Sequence, residues 1–122
     1  MRDALETVVP RALPGLSVEH ASELVVIIER LVEALQPERI YVFGSHARGD
    51  AAPDSDVDLM VVVPYSDLLP HNRDQAAYRS IGLHAFAVDF LVLTAAEFKR
   101  TCGAYASLPA TVLREGKVIY AA

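Results

Sequence analysis

The chain has 122 residues, of which 52% are hydrophobic, and it carries a formal net charge of −5. This length suits one small domain with its own core, and the apolar content argues against disorder. The acidic balance disfavours tight binding to nucleic acid or to an anionic membrane surface. The single cysteine, Cys102, excludes an intramolecular disulfide and a zinc site made of several cysteines.

The N-terminal residues combine acidic side chains with two prolines, where a signal peptide needs an apolar core. Apolar runs also stay far below the roughly 18 residues of a membrane span. We therefore expect a cytoplasmic protein without a membrane association. Residues 1–16 are predicted to form a short helix or a loose N-terminal arm, and residues 17–122 a single domain.

A helix is predicted to begin after Ser17, whose hydroxyl can accept a hydrogen bond from an unpaired backbone N–H, and to end before Pro37. Apolar residues recur at helical spacing, at Ala21, Leu24, Val25, Ile28, Leu31, Val32 and Leu35. Val26 and Ile27 lie off this stripe. They indicate a second buried face, such as an interface with a partner.

Strand and helix signals then alternate along the chain. We predict strands over 40–43, 57–63, 85–93 and 117–120. We predict helices over 46–49, 72–81 and 107–115, and a further helix that begins at a capping box over 94–97. The run over 57–63 is continuously apolar, which is typical of a strand covered on both faces. The sum is an α+β domain with a small mixed sheet flanked by helices.

Acidic residues gather where the second strand begins. Asp56 and Asp58 are separated by one residue, so in a strand both carboxylates project from the same face. Two such groups repel each other unless a cation neutralises them, and Mg²⁺ binds one or two carboxylates together with substrate phosphates. Taken alone, the pair also fits a solvated acidic strand end.

The first predicted strand ends in Gly44 and Ser45, a turn that leaves backbone N–H groups free to bind an anion. Arg48 adds a guanidinium whose geometry suits phosphate oxygens. Arg48 could instead pair with Asp50 or Asp54 and fix the following loop. If the chain returns through that loop, the phosphate donors and the paired carboxylates face one cleft.

Gly44-Ser45 followed after ten residues by Asp56-x-Asp58 resembles the signature of the DNA polymerase β-like nucleotidyltransferase superfamily. The fuller string, Gly-Ser-x-Ala-Arg-Gly and then Ser-Asp-x-Asp-Leu, is similar to the minimal nucleotidyltransferase branch. The specific match covers residues 41–63, and a weaker likeness extends to the end of the chain.

This resemblance implies a third carboxylate on a later strand, for which Asp89 is the candidate. From its apolar surroundings alone, that residue could equally pair with an arginine or lie on an open face. The implied metal ligands are Asp56, Asp58 and Asp89, holding two Mg²⁺ ions, and the implied nucleotide-binding residues are Gly44, Ser45 and Arg48. His46, in the same turn, is interpreted as a solvated loop histidine rather than as a phosphate contact.

The resemblance further implies transfer of AMP from ATP to a tyrosine hydroxyl of a HEPN-domain ribonuclease toxin, so that the chain acts as the antitoxin. Two alternatives stay open. The chain could neutralise its partner by binding alone, or it could modify a small molecule such as an antibiotic. Whether it forms homo- or hetero-oligomers is open as well.

Overall fold

A four-stranded sheet lies between two layers of helices in a computed structural model that describes residues 1–52, 55–82, 84 and 86–122. In chain order the elements are α1 (Arg2–Ala12), α2 (Val18–Leu35), β1 (Arg39–Phe43), α3 (Ser45–Arg48), β2 (Val57–Val63), α4 (Pro70–Ile81), β3 (Val88–Thr94), α5 (Ala95–Thr101), α6 (Leu108–Glu115) and β4 (Lys117–Ala121). The predicted α+β class is confirmed.

The strand order is β3-β2-β1-β4, with β1 antiparallel to both of its neighbours and β2 parallel to β3. The two faces of β2 pack into two different hydrophobic cores, one on each side of the sheet. Leu59 and Val61 pack with α1, α2 and α4, whereas Met60 and Val62 pack with Phe98 of α5 and with α6. This two-sided burial explains the continuous apolar run of β2 and confirms its prediction.

Helix starts follow the predicted caps. Ser17 accepts a hydrogen bond from the backbone N–H of His20 at 3.1 Å. Thr94 and Glu97 form the complete capping box at the start of α5. Helix α4 begins at Pro70, two residues before the prediction, because a proline in the first turn needs no N–H partner and its φ is already helical.

Ile27 is 1% exposed, so the predicted second buried face of α2 is present, but it faces the chain's own core rather than a partner, because α1 and α4 flank α2. One predicted boundary differs from the structure. Strand β3 was predicted to begin at residue 85 but begins at Val88. Val88 is the first residue that pairs with β2, opposite Val57. Residue 85 itself lies outside the described residues.

The N-terminal segment is a helix. Leu5, Val9 and Leu13 are almost fully buried in the same core as α2 and the sheet. The Lys117 ammonium also donates to the backbone carbonyl of Ala12 at 3.0 Å, which joins the end of α1 to β4. Within the described part of the chain, no helix is long and apolar enough to cross a membrane.

Candidate active site

The turn between β1 and α3 is built on Gly44, whose φ is +76°. This left-handed backbone redirects the chain from the strand into one helical turn, which the hydrogen bond from the Arg48 N–H to the Gly44 carbonyl closes at 3.1 Å. The predicted strand, turn and helical turn are therefore all present. Gly49, with φ +83°, ends the helical turn.

Asp58 lies directly against this turn. In the antiparallel ladder Phe43 pairs with Asp58, and a Cβ atom added to Gly44 would overlap the Asp58 Oδ2 atom. Glycine at position 44 thus meets two requirements, a positive φ and the close approach of a carboxylate. The arrangement places an acidic oxygen beside the start of α3.

The parallel ladder between β2 and β3 places Asp58 opposite Asp89. Paired residues of neighbouring strands project from the same face, so the two carboxylates share one face of the sheet. Partial burial raises the pKa of Asp58, and the charges of Asp89 and Asp56 raise it further. The structure thus places Asp58 beside Asp89, and the charge of Asp56 acts on Asp58.

Arg48 pairs with Asp50, with 3.2 Å between Nε and Oδ2, and both side chains are exposed. This is one of the two alternatives that the sequence left open, and the other, Asp54, lies outside the described residues. The positive charge of Arg48 also limits the rise in the pKa of Asp58. Arg48 therefore acts electrostatically on Asp58, while its Nε is paired with Asp50.

His46 is buried, and its interpretation as a solvated loop histidine is wrong. Only 2% of the residue is exposed, and its Nε2 lies 3.0 Å from the backbone carbonyl of Ser55, the residue before Asp56. Its Nδ1 has no hydrogen-bond partner among the described residues. A helix of one turn is too short for sequence periodicity to show which side faces inward.

Sequence reasoning also missed Tyr78 on α4. Its hydroxyl donates a hydrogen bond to Oδ1 of Asp89 at 3.3 Å and accepts one from the backbone N–H of Phe90 at 3.2 Å. Nothing in the sequence near residue 78 signals this contact, since it depends on how α4 packs along β3.

The donor set suits a hard divalent cation, because carboxylate oxygens are the ligands that Mg²⁺ prefers. Burial is the main cause of the raised pKa of Asp58, and the negative charges of Asp89 and Asp56 at the same edge of the sheet add to it. No cluster of three His, Cys, Asp or Glu side chains in the described ranges is arranged to hold a metal on its own. Mg²⁺ commonly takes only one or two carboxylates and completes its shell with phosphates and water.

Residues 24–119 match the family described as the nucleotidyltransferase domain, and the chain therefore belongs to that family of transferases. A protein from Sulfolobus solfataricus, proposed to be a nucleotidyltransferase, shares the fold with a TM-score of 0.58 and 21% identity. The match covers 97% of this chain and 87% of that one. The predicted nucleotidyltransferase fold is confirmed.

A weaker similarity is to a toxin–antitoxin structure with AMP-PNP, at a TM-score of 0.46 and 20% identity, covering 79% of this chain and 72% of that one. No curated protein matches the chain at a significant level.

Proposed function

We propose that this nucleotidyltransferase is Mg²⁺-dependent and transfers AMP from ATP to a tyrosine hydroxyl of a HEPN-domain ribonuclease toxin, which it thereby silences as the antitoxin. One observation carries the catalytic part of the proposal. The carboxylates of Asp58 and Asp89 lie opposite each other, and Asp58 lies against the Gly44 turn. The choice of toxin and acceptor rests on the resemblance of the 41–63 segment to minimal nucleotidyltransferases.

The turn is the phosphate-binding end of the proposed site. Because Gly44 has no side chain, a phosphate can approach the backbone closely, and the Ser45 hydroxyl is an added donor. Arg48 uses Nε for Asp50, and the remaining N–H groups of its guanidinium can donate to phosphate oxygens. These three residues would orient the β- and γ-phosphates of ATP.

The three carboxylates form the other end. Asp56 and Asp58 would hold divalent ions between them, and Asp89 would complete the ligand set on the acceptor side. When bound, the ions supply charge neutralisation and favour the deprotonated acceptor hydroxyl. The acceptor hydroxyl releases its proton to solvent, its oxygen forms a bond to the α-phosphorus, the bond from that phosphorus to the bridging oxygen breaks, and pyrophosphate leaves.

An apolar groove supports a protein acceptor. Leu91 follows Asp89 by two residues on the same face of β3, and it is 38% exposed. It lines a groove of about 380 Å³ together with Leu108 and Pro109 of α6. A partner that places apolar side chains in this groove would bring a neighbouring hydroxyl close to Asp89.

Co-expression with a HEPN-domain protein encoded beside this chain tests the proposal. Intact masses of both chains are measured with the wild type, with Asp58→Asn, and with Asp67→Asn as the matched control, since Asp67 is exposed and lies in the segment after β2. We expect a partner that is heavier by whole AMP groups with the wild type and the control, and of unchanged mass with Asp58→Asn.

Other outcomes contradict specific parts of the proposal. A partner that co-purifies without modification would mean that the chain inhibits by binding alone. A partner that neither binds nor gains mass would exclude the pairing, and hydroxyl groups of small molecules would then be tested as acceptors with Mg²⁺-ATP.

A further inference from the structure

Tyr78 packs on the outer edge of β3, beside the third carboxylate of the proposed site. Its hydroxyl has two partners at once, Asp89 Oδ1 as acceptor and the Phe90 N–H as donor. A phenol carries one proton and two lone pairs, so both hydrogen bonds are compatible. The hydroxyl therefore links the backbone of β3 to the carboxylate that the same strand carries.

The position of the Tyr78 ring is set by β3 rather than by Asp89. Its ring meets that of Phe90 edge-on, with 4.9 Å between the centroids. One helical turn earlier, Oδ1 of Asp74 accepts a hydrogen bond from the Val92 N–H at 2.8 Å. Helix α4 is thus attached to two alternate N–H groups of the edge strand, those of Phe90 and Val92, which holds the Tyr78 hydroxyl in place.

Asp89 needs such a contact because its side chain is exposed and faces like charges. Asp58 and Asp89 repel each other, and a carboxylate that is free to rotate would turn away. The hydrogen bond from Tyr78 occupies Oδ1 of Asp89 and leaves Oδ2 of the same carboxylate available to bind a cation.

We propose that Tyr78 is a positioning residue that holds the Asp89 carboxylate in the orientation required to bind a divalent cation. This inference rests on the proposed function, in which Asp89 is a metal ligand. Hydrogen-bond partners of metal ligands commonly change metal affinity by about 10- to 100-fold when they are removed.

The test compares Tyr78→Phe with the wild type and with Tyr65→Phe, a matched control whose residue is 77% exposed. Mn²⁺ binding to the chain is measured by electron paramagnetic resonance with a non-hydrolysable ATP analogue at a fixed concentration, because phosphates complete the ligand shell of the ion. We expect about tenfold weaker Mn²⁺ binding in Tyr78→Phe and unchanged binding in Tyr65→Phe. In nucleotidyl transfer, kcat should fall while KM for ATP stays constant, because other residues contact the phosphates.

Hydrogen exchange of the Phe90 amide shows whether the variant has lost the intended bond, and the exchange should be faster in Tyr78→Phe. Faster exchange with unchanged Mn²⁺ affinity would overturn the inference and leave Tyr78 as a cap of the strand edge. A wild-type chain that binds no Mn²⁺ would instead contradict the metal site of the proposed function, and the inference with it.

Discussion

At the scale of single residues, two glycines with positive φ flank α3 and meet different constraints. Gly44 combines its φ of +76° with the Asp58 carboxylate, which occupies the space where a Cβ atom would lie. Gly49 has a φ of +83° and no atom within 4 Å of that position. The ψ of −156° at Gly44 lies in a region that essentially only glycine adopts, whereas the ψ of 11° at Gly49 is left-handed helical. Substitution at position 44 therefore combines backbone strain with steric overlap, and substitution at position 49 causes backbone strain alone.

Gly49→Ala should therefore lower the free energy of unfolding by about 1–2 kcal/mol, which is the cost of a left-handed backbone at a residue with a side chain. Gly44→Ala should lower the free energy of unfolding by more than this amount, because Asp58 must move. It should also abolish nucleotidyl transfer. Urea unfolding and turnover measurements compare the two variants. Equal stability of Gly44→Ala and Gly49→Ala would show that Asp58 does not pack against the turn.

Asp58 itself is expected to destabilise the metal-free fold. Its pKa is raised by partial burial and by Asp89 and Asp56, so the folded chain binds this proton more tightly than the unfolded chain. Above the raised pKa the charged group lowers stability, and this cost disappears as the pH falls through it.

Asp58→Asn should then unfold at a higher urea concentration than the wild type at neutral pH in the presence of a chelator, although we expect it to be inactive. Asp67→Asn, an exposed residue outside the cluster, should not change the midpoint. A lower midpoint for Asp58→Asn would mean that favourable contacts of this carboxylate outweigh its repulsion.

At the scale of elements, an ion pair joins α4 to the start of α5. Arg73 is 6% exposed, and its two terminal nitrogens bind the two Glu97 oxygens at 2.5 and 3.0 Å. Arg73 also donates to the Val92 carbonyl at 3.2 Å. Hydrogen bonds from Arg73 and from the Thr94 backbone lower the pKa of Glu97 to about 2.

Because that pKa is lowered, Glu97 stabilises the fold above its ordinary pKa of 4.5, and the contribution is lost as the pH falls toward 2. Glu97→Gln should cost about 3 kcal/mol of unfolding free energy at neutral pH. The difference between wild type and variant should shrink below pH 4.5 in urea unfolding. Parallel curves, or an equal cost in the exposed control Glu115→Gln, would contradict the assignment.

At the scale of the whole molecule, α1 belongs to the same core as the sheet. Leu5 is 2% exposed and lies among residues of α2 and of the strands. Of the two forms that the sequence allowed for residues 1–16, the structure therefore has a packed helix rather than a loose arm.

Leu5→Ala should accordingly cost about 2–5 kcal/mol, as do truncations of buried leucines elsewhere. Leu113→Ala, at a site that is 51% exposed, serves as the control and should cost much less. Urea unfolding measures both. A negligible cost for Leu5→Ala would show that the N-terminal helix detaches from the domain in solution.

Local signals in the sequence predicted the elements well where the deciding contacts lie within a few residues. The Ser17 cap, the capping box at Thr94 and the turn at Gly44 all depend on hydrogen bonds or backbone angles between near neighbours. The spacing of Asp56 and Asp58 likewise predicted that the two residues interact, and the charge of Asp56 does raise the pKa of Asp58.

The sequence by itself thus determined the helix caps, the glycine turn and the acidic pair. Only the tertiary structure decided that Asp89 lies opposite Asp58, that the Tyr78 hydroxyl donates to Asp89, and that His46 is buried. These contacts join residues on different elements. Their positions follow from which strands and helices become neighbours when the apolar faces of the whole chain are buried, and no local pattern encodes that choice.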